Sequence, residues 1–147
     1  MNQESIIHLR AELEGELFQS VLPFWQQHSI DEANGGYHNC LDRQGRVYDP
    51  TKYMWLHGRQ VWLFSKLYNA YAPEREWWRI AGHGLDFMRR YALAGNGRVY
   101  FSLNAQGRPV YLQRKLFSEC FYAMALAEYG RAAGRDDLLT EARAQLD

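Results

Sequence analysis

The chain has 147 residues and a mass of 17.3 kDa, which suits one domain or part of a larger one. Its 17 Lys and Arg balance 17 Asp and Glu, and no run of basic residues interrupts that balance, so the electrostatic footprint needed by nucleic-acid or anionic-membrane binders is absent. An apolar share of 47% with 5 Trp, 10 Tyr and 7 Phe excludes general disorder and supplies rings for a core or a pocket wall.

Residues 5–28 place Ile6, Leu9, Leu13, Leu17, Val21, Leu22 and Trp25 at three- and four-residue spacings, predicting one amphipathic helix kinked near its end by Pro23. Asn34-Gly35-Gly36 breaks that helix, and YHNCLDRQGRVYD reads as a short β-hairpin turning at Asp42-Arg43-Gln44-Gly45. From about Thr51 to Tyr71 the chain is apolar on nearly every side, predicting a helix buried all round and closed by Pro73. Residues 74–93 carry charges on one face and predict an outer helix. No apolar stretch reaches the roughly 20 residues of a membrane span, and the N-terminus has no signal-peptide pattern, so a soluble cytoplasmic protein is expected. Cys40 and Cys120 stand far apart without metal-ligand spacing and are expected to be reduced, buried thiols.

The order then recurs. At an offset of 62 residues, without a gap, Asn34 falls on Asn96, Gly35 on Gly97, Leu41 on Leu103, Gln44 on Gln106, Gly45 on Gly107, Arg46 on Arg108 and Ala70 on Ala132. These identities exceed the roughly two expected from average residue usage, and Lys52/Arg114, Met54/Leu116 and Trp55/Phe117 keep charge and volume. A unit of outer helix, hairpin and apolar inner helix cannot bury its inner helix alone and has to stack on copies of itself. A closed ring of six units would need roughly 370 residues, so residues 1–147 are expected to be the N-terminal part of a larger helical toroid, ending in a third helical pattern, DDLLTEARAQLD.

A guanidinium in an otherwise apolar helix is costly unless it is paired or faces a wet cavity, and Arg59 is such a group. Trp55 lies one helical turn before it. A ring beside a fork of N–H donors suits a polyhydroxylated ligand, whereas pairing of Arg59 with Glu119 on the next inner helix would be purely structural. The residues alone leave both readings open. Glu119 and Tyr122 are further candidates for contacting a ligand hydroxyl. None of His8, His28, His38, His57 and His83 has metal-ligand spacing, so no metal is expected, and no glycine motif for a dinucleotide or nucleoside triphosphate is present.

The segments KYMWLHGRQVW and KLFSECFYAMAL, within a match over nearly the whole chain, resemble the N-acylglucosamine 2-epimerase (renin-binding protein) family. The resemblance implies an all-α, (α/α)6 barrel, of which this chain would supply the first two-plus repeats with short β-hairpins as one domain. It implies an isomerase that interconverts N-acetylglucosamine and N-acetylmannosamine by ring opening and proton transfer at C2. By the resemblance Arg59 would act as the catalytic oxyanion partner and Trp55 would line the sugar pocket; Glu119 and Tyr122 stand beside them as substrate-binding candidates on their position alone. No cofactor would be required, although ATP or another nucleotide activates several members, and a homodimer is a further expectation. The family's two catalytic histidines belong to later repeats, and none of the five histidines here matches them, so this chain alone is expected to be inactive. Three other readings stand beside this one. They are a truncated, non-catalytic helical repeat module, a related aldose–ketose isomerase, and a toroid glycosidase, for which no convincing pair of carboxylates is present.

Overall fold

A computed structural model describes residues 2–146. In chain order, α1 (Gln3–Glu16), a π-helical turn (Leu17–Val21) and α2 (Leu22–His28) precede a hairpin of β1 (Cys40–Leu41) and β2 (Val47–Asp49). β3 (Lys52–Tyr53) runs straight into α3 (Met54–Ala70), followed by α4 (Arg75–Tyr91), a second hairpin of β4 (Ser102–Leu103) and β5 (Pro109–Tyr111), α5 (Phe117–Ala133) and α6 (Asp136–Ala144). The architecture is mostly helical, with short strands.

The 62-residue repeat is physical. Strands 40–41 and 47–49 return at 102–103 and 109–111, and each hairpin turns on a glycine of positive φ, Gly45 at +79° and Gly107 at +82°. Side chains are excluded there twice over, because a Cβ on Gly45 would lie 2.3 Å from the His28 ring and one on Gly107 2.6 Å from the Tyr91 ring. β3 pairs antiparallel with β4, Lys52 opposite Leu103 and Tyr53 opposite Ser102, which ties the first repeat to the second. That pairing, with Asn39 Oδ1 accepting the Tyr53 N–H at 2.7 Å, removes residues 51–53 from the helix expected to begin at Thr51.

Trp55 packs near Phe117, and Asn69 Nδ2 bonds to Glu128, so the starts and ends of α3 and α5 meet and the two inner helices are parallel. α4 returns antiparallel outside α3, bringing Phe87 beside His57, and α6 does the same outside α5, bringing Glu141 to Tyr122. Val61, Phe64, Ile80, Met88 and Leu126 are fully buried where these layers meet. Each contributes about 1.5–3 kcal/mol relative to an exposed side chain.

Four expectations need correction. The single helix over 5–28 is broken into three pieces, because Pro23 has no N–H for the Gln19 carbonyl and its ring would clash with it; the wider π turn absorbs the misfit and Pro23 takes its place in the first turn of α2. The apolar stripe of α1 has the predicted spacing but is uncovered, with Ile6, Leu9 and Leu13 all exposed. α3 is not buried all round: Met54, His57, Gly58, Val61, Phe64 and Ser65 are enclosed, whereas Arg59 is exposed and Trp55, Leu56, Trp62 and Leu63 are half covered. Of the two thiols, Cys40 is half buried and Cys120 exposed.

Beneath the first hairpin lies a buried polar knot. Lys52, fully enclosed, bonds Asp31 Oδ2 at 2.8 Å and the Gly35 carbonyl, and its ammonium stands 4.6 Å above the Phe87 ring. Burial alone would raise the Asp31 carboxyl, but Lys52 and the Asn34 N–H groups outweigh it and hold Asp31 below its ordinary value. Beside this pair, the buried Tyr37 N–H donates to His57 Nε2 at 2.9 Å and the Tyr37 hydroxyl donates to the Ile80 carbonyl at 2.6 Å.

Burial, reinforced by the Lys52 ammonium, pushes the His57 imidazole down to about 3. In the unfolded chain it titrates near ~6.5. The stability due to neutral His57 is therefore complete above that value and is lost as pH falls from there towards about 3, because the unfolded chain takes up a proton that the folded one refuses. Denaturant unfolding between about pH 6 and 4 should lose up to ~1.4 kcal/mol per pH unit through this group, and His57→Gln should flatten the slope by about one proton.

Candidate active site

The open face of α3 gathers the groups available for chemistry. The Arg59 Cζ lies 5.8 Å from the Trp55 ring centroid and 5.9 Å from that of Phe121, so the two repeats frame one guanidinium between two rings. Phe117 extends the aromatic wall, 5.6 Å from Trp55 and 5.0 Å from Phe121. Among the described residues Arg59 has no carboxylate partner, so its N–H donors stay available to a ligand.

Beside Arg59 a cavity of about 270 Å³ opens between α2 and α3. Leu22, Trp25, Leu56 and Leu63 line it with apolar surface, while Asn39, Arg59 and Gln60 contribute its polar atoms. Gln60 is held in place by donating to Ser29 Oγ at 2.6 Å, and Ser29 in turn donates to the Trp25 carbonyl. Apolar walls with a few convergent donors and acceptors suit a small polyhydroxylated molecule, whose C–H faces pack on rings while its oxygens take hydrogen bonds. No group of three or more His, Cys, Asp or Glu side chains gathers as a metal-ligand set among the described residues.

The structure separates the four residues singled out in the sequence. Trp55 and Arg59 come together, but Glu119 turns to the 98–99 segment and Tyr122 to α6, and of the four only Arg59 lines the cavity. Glu119, only 3% exposed, accepts from Arg98 Nε at 2.5 Å and from the Val99 N–H at 3.1 Å. It neither pairs with Arg59 nor faces that cavity. Its role matches that of His57 62 residues earlier, since Val99 is the repeat counterpart of Tyr37. Tyr122 is fully buried and donates to Glu141 Oε1 at 2.8 Å, and burial together with that carboxylate raises its phenol.

Asn39 and Gln60 went unmarked in the sequence, yet a signal for them was present. At the 62-residue offset they fall on Phe101 and Tyr122, and Arg59 falls on Phe121. Each is a polar residue of the first repeat set against an aromatic one of the second, and such breaks in an otherwise repeated core are where a site is cut into it.

The family profile described as N-acylglucosamine 2-epimerase (GlcNAc 2-epimerase) matches residues 35–147. The chain is 44% identical over 137 residues to the human protein named N-acylglucosamine 2-epimerase, and 42% identical over 137 residues to the rat protein of the same name. These matches cover 90% of this chain, but 32% and 33% of the relatives. The solved structure of cellobiose 2-epimerase from Spirochaeta thermophila superposes on 99% of this chain and 36% of its own with a TM-score of 0.87 at 26% identity. The chain thus spans about a third of the length of the proteins it matches.

A buried carboxylate that holds a main-chain N–H and an arginine at once is structural first. Glu119→Ala should lower the free energy of unfolding by ~3 kcal/mol or more in chemical denaturation, since it leaves the buried Val99 N–H without an acceptor and Arg98 without its counterion, while the surroundings of Arg59 stay as they are.

Proposed function

The chain belongs to the N-acylglucosamine 2-epimerase family, and on that premise we propose that it carries the electrophilic side of a sugar 2-epimerase site acting on N-acetylglucosamine and N-acetylmannosamine. The observation that carries this reading is the unpaired Arg59 guanidinium, which lies against the Trp55 and Phe121 rings and also lines a cavity of sugar size.

In the open-chain sugar, loss of the C2 proton sends its electron pair towards C1, and the carbonyl oxygen becomes the oxyanion of an enolate whose C2 keeps its acetamido group. Arg59 donors aimed at that oxygen bind it more tightly as its charge grows, an effect of about 10²–10³ in rate for a well-placed donor. Return of a proton to the opposite face of C2 completes the inversion. Trp55 would hold the carbon skeleton while Asn39 and Gln60 accept from or donate to hydroxyls. The two proton transfers need a pair of groups that titrate near neutrality. His57 is withdrawn from that task by its bond to Tyr37, so the resemblance to the family assigns the pair to histidines of later repeats.

No electrons are transferred overall, so the reaction as written calls for no redox cofactor; Arg59 would take the part a Lewis-acid metal could play at the carbonyl oxygen, and a nucleotide would act as an activator away from C2. The parallel pair α3 and α5, with α4 and α6 outside, supports placing residues 1–147 as the first part of an (α/α)6 barrel that forms a single domain. A small sugar as partner, a homodimer and a cytoplasmic setting complete the proposal. No helix among the described residues is long and apolar enough to cross a membrane.

The test is exchange of the C2 proton of N-acetylglucosamine in deuterium oxide, followed by NMR with the protein at the full length its source makes. Arg59→Ala should slow exchange by about two orders of magnitude, with an unchanged melting temperature, because an exposed, unpaired side chain contributes little to the fold. Exchange at the wild-type rate in that variant would remove Arg59 from the mechanism.

A further inference from the structure

We propose that Gly58 is a positioning residue for Arg59: its lack of a side chain lets the backbone of α5 lie against α3 and so delivers the Phe121 ring to the guanidinium. The catalytic consequence rests on the role proposed above for Arg59, whereas the positioning itself rests on geometry alone.

A Cβ on Gly58 would stand 2.5 Å from the Phe121 carbonyl oxygen, 2.7 Å from its carbonyl carbon and 2.9 Å from its Cβ. The first two are main-chain atoms inside a helix, which cannot rotate aside as the tip of a long side chain can. Any larger residue therefore has to push the two inner helices apart. Glycine is a poor choice within a helix on propensity alone. The repeat does not ask for it either, since the position 62 residues on is Cys120. Close approach of the helices is what explains it.

The ring carried by that backbone is the one at stake. Phe121 lies 5.9 Å from Arg59 Cζ and 6.1 Å from the Trp55 ring, so it supports the guanidinium directly and through the indole. Attraction between a cation and a ring is useful only within about 6 Å of the centroid. Arg59 thus sits at the edge of that range, and withdrawal of α5 by about an ångström takes Phe121 out of it. Arg59 would then keep Trp55 alone and sample orientations that no longer point its N–H groups at one oxygen.

The experiment uses the protein at the full length its source makes, labelled with 15N-arginine, with Arg59→Lys to assign the Arg59 Nε–Hε resonance. Ring currents from Trp55 and Phe121 should displace that resonance from the value of free arginine. Gly58→Ala and Phe121→Leu should both move it back towards that value, while Phe121→Tyr, which keeps the ring, should hold it. In Gly58→Ala, kcat for C2 epimerisation should fall about tenfold or more with KM within about threefold. An Arg59 resonance unmoved by Gly58→Ala in folded protein would overturn the proposal whatever Phe121→Leu does, and even if the melting temperature drops. Should Gly58→Ala fail to fold, the contrast between Phe121→Leu and Phe121→Tyr decides in the same way. A resonance that moves without any loss of turnover would support the positioning and overturn its catalytic consequence, leaving the role of Arg59 itself to Arg59→Ala.

Discussion

A main-chain N–H buried at the foot of each hairpin has to find an acceptor, and the inner helix that follows supplies it. Tyr37 donates to His57 and Val99 to Glu119, the same two positions in successive repeats. Leaving such a donor unmet costs about 1–3 kcal/mol, so this bond hangs each hairpin on its helix and fixes where the helix begins. The acceptor's charge then dictates its neighbour. Neutral His57 needs no counterion, and Gly36 packs so closely over it that a Cβ there would lie 2.7 Å from Nε2. Glu119 does need one, and the position equivalent to Gly36 is Arg98, whose guanidinium reaches Glu119 and the Gln113 carbonyl.

The first hairpin carries a second anchor that the second does not. Lys52 and Asp31 are enclosed together under the 31–37 loop, whereas the repeat counterpart of Lys52, Arg114, is exposed. Enclosed ions are retained only when their remaining hydrogen bonds are met, and here the Gly35 carbonyl, the Asn34 amides and the Phe87 face meet them. The result is a rigid seat for β3 and therefore for the start of α3. The oxyanion role proposed for Arg59 would gain from such rigidity, because a preorganised donor need not reorganise during a reaction.

α3 consequently has two faces with different duties. His57, Gly58, Val61 and Phe64 are consumed by contacts with the loop, with α5 and with the core. One residue further round, Arg59 and Gln60 look out over the cavity. Adjacent residues of one helix are thus either packed into the fold or left facing the cavity, since a step of 100° per residue turns neighbours to different surroundings.

The helices, both hairpins, their glycine turns and the 62-residue period were legible in the sequence, because spacing and turn chemistry are local properties. The resemblance carried by KYMWLHGRQVW identified the family for the same reason. Contacts between residues far apart in the chain were not legible. Sequence left open whether Arg59 pairs with Glu119, and the fold decided it by giving Glu119 to Arg98 and Val99 and leaving Arg59 to two rings. Tyr122 went to Glu141 for a like reason: its side of α5 faces α6 rather than α3. The Lys52–Asp31 pair spans 21 residues, and periodicity gave no sign of it. Hydrophobic pattern states which residues seek cover, but which polar groups meet beneath that cover depends on the approach of whole helices, set here at Gly58 by the absence of a single carbon atom.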